Sequence, residues 1–370
     1  MWAAREATPV GCGWGTVRGM GLRTRFTEAF GLTTPIAQAG MAFVGMTPEL
    51  PVAVSNAGAL GSLGVGLMPA AALAQTVAAI QAKTDRPFNV NFITVFTEQA
   101  QIDAVCEAGV AVVSFHWGHP PRRWIEQLHG AGVRVFEQLS SVDAAKRAVD
   151  DGVDVVVAQG QEAGGHNAAT LPVFALVPLV VDAVAPALVL ASGGIADGRG
   201  VAAALMLGAD GAWVGTRFVA SGESGAHDGY KSRLLSSDAT ETVSTSMFGP
   251  DMPDFNPMRV LRNRVVREWL DAPPAEADDA PLPVIGETVL GGETVTMHRF
   301  SNLVPMRGLT TGDLEEMPLL AGQGVGLVTE LRPAAEIIEA MTADAVAMLG
   351  RYGGRHEGGH KGGHERGHGG

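Results

Sequence analysis

The stretch 187–216, ALVLASGGIADGRGVAAALMLGADGAWVGT, decides the fold. It opens on a short apolar run of strand length, 187–192. An Ala-rich segment with apolar residues at helical spacing follows at 198–207, and Gly208-Ala209-Asp210 stops it before a second strand-like run at 211–215. Strand, helix and strand of these lengths make a βα unit and its successor. The same rhythm extends back to about residue 35. Candidate strands lie at 36–39, 61–64, 88–92, 110–115, 133–139, 153–158, 187–192 and 211–215. Helix-like segments lie at 47–57, 70–83, 98–107, 122–130, 142–151, 173–184, 198–207 and about 223–235. Glycines such as Gly109 and Gly132 sit where a left-handed residue stops a helix. Eight strands, each followed by a helix, predict an α/β fold of the TIM (β/α)8 barrel type. A doubly wound open sheet uses the same units, and spacing alone leaves it open.

Outside the repeat the composition changes. Residues 1–20 are Gly-rich and broken by Arg5 and Arg18, which reads as a disordered leader rather than a secretory signal. The barrel is expected over 21–235. Residues 236–317 are rich in Pro, Asp, Glu, Thr and Met and are expected to form a helical cap inserted after the eighth strand, with an amphipathic helix at 257–270 and an acidic, Pro-rich stretch at 271–283. The segment 318–350 should bring a final helix, 333–349, back onto the barrel. The tail 351–370 is nearly all Gly, His and charge and is expected to be disordered.

Of 370 residues, 46% are hydrophobic and 18% charged, enough for a large core. The net charge of −13 argues against nucleic acid or an anionic membrane as partner. No apolar run reads as a membrane span, since Pro178, Asp182 and Pro186 break the richest one. Two cysteines, Cys12 and Cys106, fit a reducing compartment, so a cytoplasmic location is expected. No metal-ligand cluster occurs in the body of the chain. The tail spaces His356, His360, His364 and His368 four apart, but the intervening glycines forbid a stable helix, and a solvated tail is the simpler reading over metal capture.

The candidate chemistry lies at strand ends. Ser192-Gly193-Gly194 closes the seventh strand and Trp213-Val214-Gly215-Thr216 the eighth, one βα unit apart. Glycines let the backbone approach an anion, a following helix points free N–H groups at it, and barrels bind phosphate between these two loops. After the sixth strand, Gln159-Gly160-Gln161-Glu162-Ala163-Gly164-Gly165-His166 sets a histidine at the barrel mouth, where a neutral imidazole can serve as a base. The fourth strand ends in Ser114-Phe115-His116-Trp117-Gly118-His119; His116 and Trp117 are expected to line a pocket, His119 to lie in a loop. His166, His116 and Ser114 are the candidate catalytic residues. In Phe88-Asn89-Val90-Asn91-Phe92 alternation puts both amides on one face, and Asn91 is expected to hold a cofactor ring edge. Ala39-Gly40-Met41 offers a small backbone beneath a ring. The glycines of 320–326 suit a hairpin or a loop closing over the site. No GxxxxGK[ST] occurs, which argues against a P-loop nucleotidase.

Together these strings resemble the nitronate monooxygenase (2-nitropropane dioxygenase) family. The resemblance runs from about residue 24 to 235 and from 318 to 349, and rests on 87–92, 113–118, 158–166, 192–197 and 215–216. It implies FMN as cofactor, its phosphate on Gly193, Gly194, Gly215 and Thr216. Asn91, Gln159 and Gly164 would hold the ring or its side chain; Ala39, Gly40, Met41, Gly165, Ser192 and Trp213 complete the expected cofactor-binding set. It implies His166 as the base toward neutral nitroalkanes. It also implies oxidation of an alkyl nitronate by O2 to a carbonyl compound and nitrite, in a monomer or homodimer. The sequence departs from the family pattern at Asn167-Ala168 and at Gly322-Gln323-Gly324. Two rival functions remain. One is an NAD(P)H-dependent quinone or enoyl reductase on the same FMN barrel. The other is a non-catalytic flavin- or phosphate-binding module with a metal-handling tail.

Overall fold

The computed structural model describes residues 22–271 and 282–353. The expected leader, most of the acidic Pro-rich stretch and the tail from residue 354 lie outside the described residues.

Nine strands occur up to residue 214: β1 Ile36–Gln38, β2 Gly61–Gly64, β3 Phe88–Ile93, β4 Val112–His116, β5 Arg134–Leu139, β6 Val155–Gln159, the two-residue β7 Gly165–His166, β8 Leu188–Ser192 and β9 Gly211–Val214. All but β7 form one parallel sheet in the order β1-β9-β8-β6-β5-β4-β3-β2. The sheet closes: Ala37 bridges Leu60 in parallel, with Gln38 N–H donating to the Leu60 carbonyl at 2.8 Å and Leu60 N–H to the Ile36 carbonyl at 3.0 Å. The closed barrel expected from the repeat is therefore present, and the open-sheet alternative is excluded.

Helices α2 Glu49–Asn56, α3 Ala70–Gln81, α4 Gln99–Ala108, α5 Arg122–Gly130, α6 Val142–Asp150, α7 Val173–Val184 and α8 Gly198–Met206 link successive barrel strands. An unexpected α1, Arg25–Phe30, precedes β1 under a Thr24 capping box. Its Phe26 is fully buried against Phe136 and Gly211, closing the end of the barrel where the strands begin. The expected helix at 223–235 starts later, as α10 Asp228–Leu235, and a short α9, Thr216–Val219, lies before it. Between them the Ser221 and Ser224 hydroxyls accept from backbone N–H groups, and Lys231 Nζ donates to both serine carbonyls at 2.7 Å; this turn replaces helix.

Inside the barrel, the period of two sorts the residues into layers. Val112, Phe136, Val155, Val157, Leu190 and Trp213 fill the apolar core. One inward position further along several of these strands, the residues turn polar: Ser114, Gln138, Gln159 and Ser192. The same strands thus supply both a dry core and a polar floor above it.

The expected helical cap is corrected. After α10 the chain forms β10 Thr242–Thr245, β11 Met258–Leu261, α11 Arg264–Trp269, β12 Val284–Leu290, β13 Glu293–His298 and β14 Thr310–Gly312. Two three-stranded antiparallel sheets result, β10-β11-β7 and β13-β12-β14. The expected helix 257–270 shrinks to α11, because Met258–Leu261 pairs with β7 on one side and β10 on the other. Asn263 then starts the helix, its side chain accepting from Val266 N–H. Tertiary pairing outweighs local periodicity here. The last helix, α12 Ala334–Gly353, packs along α8 and α2 and runs three residues into the stretch expected to be disordered.

Candidate active site

The strands end in a cavity of about 530 Å³, at the face where barrel enzymes carry their sites. Its floor is a ladder of buried polar groups across β1 to β4. Ser62 N–H donates to Gln38 Oε1 at 2.7 Å, and Asn89 Nδ2 donates to Ser62 Oγ at 3.0 Å and to Ser114 Oγ at 2.8 Å. Asn91 Nδ2 donates to the same Ser114 Oγ at 2.8 Å. Asn91 thereby faces the cavity in a fixed orientation. Gly40 is required above it: a Cβ there would sit 2.1 Å from the Asn91 side chain.

Ser114, expected to be catalytic, is fully buried and does not line the cavity. Both asparagine amides occupy its oxygen, so it positions Asn91 rather than meeting a substrate. Trp117, expected to line the pocket, also stands behind the wall. Its Nε1 donates to the Asp254 carbonyl at 2.8 Å and its indole packs edge-on to His116, His166 and Phe255. His119 is part of a polar cluster, 2.8 Å from Glu137 and 2.9 Å from Asp151, between barrel and helices.

The remaining candidates converge. Ala39, Gly40, Met41, Asn91, Gln159, Gly164, Gly165, Ser192, Gly193, Gly194, Trp213, Gly215 and Thr216 all line the one cavity, as do His116 and His166. At one end, β8 and β9 are neighbours with Ser192 beside Trp213, so their two Gly turns meet. The backbone N–H groups of Gly193, Gly194, Ile195, Gly215 and Thr216 find no acceptor among the described residues. Gly193 and Gly194 take φ of 119° and 69°, which glycine adopts without strain. The 320–326 loop closes this end. Gly322 N–H donates to Thr216 Oγ1 at 3.0 Å, Gln323 N–H donates to the Glu162 carbonyl at 2.9 Å, and a Cβ on Gly164 would lie 2.4 Å from Gly322 N.

The two histidines line the same cavity. The His166 ring stacks on Phe255 with centroids 3.7 Å apart, and its Nε2 is buried without a partner. Burial pushes its pKa down to about 3, with the His116 ring a lesser contributor. Burial also pushes His116 down to about 4, against backbone hydrogen bonds at His166 and Gln138 that work the other way. Both rings are neutral at physiological pH. Gln138 Nε2 lies 3.2 Å from His116 Nδ1 and can only donate, so the proton of neutral His116 sits on Nε2. Asn167 is not in the cavity. Its buried amide holds the carbonyls of Gly160 and Ala163 at 3.0 Å, fixing the loop that carries His166.

Sequence reasoning missed several lining residues. Gln138 follows buried Phe136 by two on β5, and the strand period could have found it. Tyr230 of α10 lines the wall and donates its hydroxyl to the Leu320 carbonyl. Met252, Phe255, Leu290, Asn302 and Leu303 come from the insertion. No local signal marks them, because pairing of β11 with β7 places that segment over the barrel.

The family model described as nitronate monooxygenase matches residues 23–344. The chain belongs to the nitronate monooxygenase family. Among curated relatives it is 32% identical over 355 residues to the (3aS,4S,5R,7aS)-5-hydroxy-7a-methyl-1-oxo-octahydro-1H-indene-4-carboxyl-CoA dehydrogenase of Mycobacterium tuberculosis, covering 89% of this chain and 98% of that one. It is 31% identical to a probable nitronate monooxygenase of Staphylococcus saprophyticus, covering 90% of this chain and 100% of that one. Among solved structures, FabK from Thermotoga maritima superposes with a TM-score of 0.75 at 34% identity, covering 90% of this chain and 98% of that one. The nitroalkane oxidase of Streptomyces ansochromogenes gives 0.71 at 28%, covering 88% and 99%.

As a nitronate monooxygenase family member the chain is a flavin-dependent oxidoreductase acting on a small molecule. Its residues fit a flavin. The free N–H groups at the two Gly turns suit an anionic end, and Trp213, whose Nε1 is buried without a partner, lines the same cavity. No helix among the described residues is long and apolar enough to cross a membrane.

Proposed function

We propose that this nitronate monooxygenase family member binds FMN and oxidises alkyl nitronates with O2 to a carbonyl compound and nitrite. The observation that carries the reading is His166, whose Nε2 is buried without a partner, in the wall of the same cavity as the two Gly turns. Gly193, Gly194, Gly215 and Thr216 would hold the phosphate, and Asn91 and Gln159 the ring edge. Bound FMN supplies the electron transfer between nitronate and oxygen. The protein orients the substrate. A nitronate oxygen gives His166 Nε2 the partner it lacks when the ring carries its proton there. The apolar stack of Phe255 on His166 keeps water from that atom.

The depressed basicity of His166 favours a nitronate over a neutral nitroalkane. A base holding its proton only below about pH 3 is poorly matched to removing one from carbon at neutral pH. A nitronate has already lost that proton. Aerobic assay of the flavin-loaded protein with propane 1-nitronate tests the reading. Nitrite release in step with O2 uptake is expected, and no nitrite despite bound flavin would overturn it.

One finding favours a second reading, a reductase or dehydrogenase on the same barrel: the relative named as a carboxyl-CoA dehydrogenase matches across nearly its whole length. That reading expects the bound flavin to be reduced by NADH or NADPH without oxygen.

A further inference from the structure

The composition of the cavity wall points to a class of nitronate. Among the described residues, every residue lining the cavity is uncharged: no Asp, Glu, Lys or Arg is present. Its titratable side chains are His116, His166 and Tyr230, and burial holds all three in their neutral forms. Away from the two Gly turns the wall is largely apolar, with the Asn302 amide its polar group from the insertion. Leu67, Met68 and Phe96 come from the loops after β2 and β3, and Phe255, Leu290 and Leu303 from the insertion. Leu290 ends β12 at the tip of its hairpin with β13. Gly291 and Gly292 turn that hairpin with φ of 59° and 90°, and Gly291 also lines the cavity. The chain as a whole carries a net charge of −13, which repels a second negative charge on an approaching ligand.

We propose that the site selects nitronates with an uncharged, extended apolar chain and rejects those whose chain ends in a carboxylate. The chain lies against the wall made by Leu67, Phe96, Leu290 and Leu303. This rests on the nitronate reading above and sharpens it. The nitronate group itself is served by the His166 nitrogen. A second anion two carbons away leaves water for a wall that is mostly hydrocarbon and holds no cation to offset its charge. Each methylene laid on the wall is favourable by about 0.8 kcal/mol, about fourfold in kcat/KM.

The test uses the full, flavin-loaded chain and nitrite release from the nitronates of nitroethane, 1-nitrobutane, 1-nitrohexane and 3-nitropropionate. The expected result is a rise of about fourfold per methylene until the chain fills the wall. The propionate nitronate should fall on the order of a hundredfold or more below the butyl one. A readout independent of turnover is thermal stability: 1-nitrohexane should raise Tm by binding, and 3-nitropropionate should not. Leu290→Lys, which puts a cation at the hairpin tip, should narrow the gap between butyl and propionate substrates by roughly tenfold. Leu67→Lys, at a rim position 67% exposed, is the companion variant should Leu290→Lys fail to fold. Equal turnover of the two substrates with a flat chain-length series would overturn the inference and leave the nitronate reading standing. No nitrite from any nitronate would overturn the reading and the inference with it.

Discussion

Replacing Ser114 by alanine separates a positioning role from a reacting one. The Ser114 oxygen accepts two amide hydrogen bonds, from Asn89 and Asn91, both at 2.8 Å. The methyl of alanine fills nearly the same space, so packing is preserved and the loss is polar. Asn89 keeps its bond to Ser62, whereas the Asn91 amide loses its only protein acceptor among the described residues. Two bonds at about 1 kcal/mol each, plus part of the cost of an unpartnered buried amide, give roughly 2–4 kcal/mol. In urea, the unfolding midpoint should fall with an unchanged slope, as befits a loss of stability without a change in exposed surface. Asn91, no longer held, should also bind flavin on the order of tenfold more weakly, with kcat reduced only modestly once flavin is saturating. Unchanged stability together with a loss of turnover on the order of a thousandfold would refute this reasoning and make the hydroxyl a reacting group.

Other consequences follow from the same geometry. Phe255→Ala removes the ring stacked at 3.7 Å on His166 and admits water, so the His166 titration should climb from about 3 toward 6.5; NMR titration of the ring protons reads this, and an unmoved pKa would contradict the assigned cause. Gly40→Ala places a Cβ 2.1 Å from the Asn91 side chain, so the purified variant should carry little flavin, measured as visible absorbance per protein, and full occupancy would count against the crowded floor. Both histidines titrate lower in the folded protein than their ordinary 6.5. Between pH 6.5 and about 4 the unfolded chain therefore binds protons that the folded one refuses. Their contribution to stability is complete above 6.5 and is lost as pH falls. Tm measured against pH should show that slope, and a His116→Gln, His166→Gln double variant should flatten it.

The barrel was legible because its signal is local and repeated. Each of the eight strands is a short apolar run bounded by turns, and α5 and α7 begin and end where the spacing placed them. The meeting of the two Gly turns was legible for the same reason, since Ser192-Gly193-Gly194 and Gly215-Thr216 lie at the ends of adjacent strands. The role of Ser114 was not. Strand alternation says that it points inward, but not that two asparagines on the neighbouring strand occupy its oxygen. The insertion misled because Met258–Leu261 has no strand signature apart from its partners. It becomes β11 only when β7 presents an edge beside it. Phe255, which stacks on His166, and Leu290, which lines the same cavity, were therefore beyond reach of any local pattern. The departure at Asn167 carried a meaning the sequence did not disclose: it staples the loop that carries His166 and stays out of the cavity.

The most direct test of the central claim is the visible spectrum of the flavin-loaded protein, mixed without oxygen with propane 1-nitronate and, separately, with NADH. Prompt loss of the flavin's absorbance with the nitronate, little change with NADH, and recovery with nitrite release on admitting air are the predicted results. Bleaching by NADH with indifference to the nitronate would contradict the account and move the chain to the reductase side of its family.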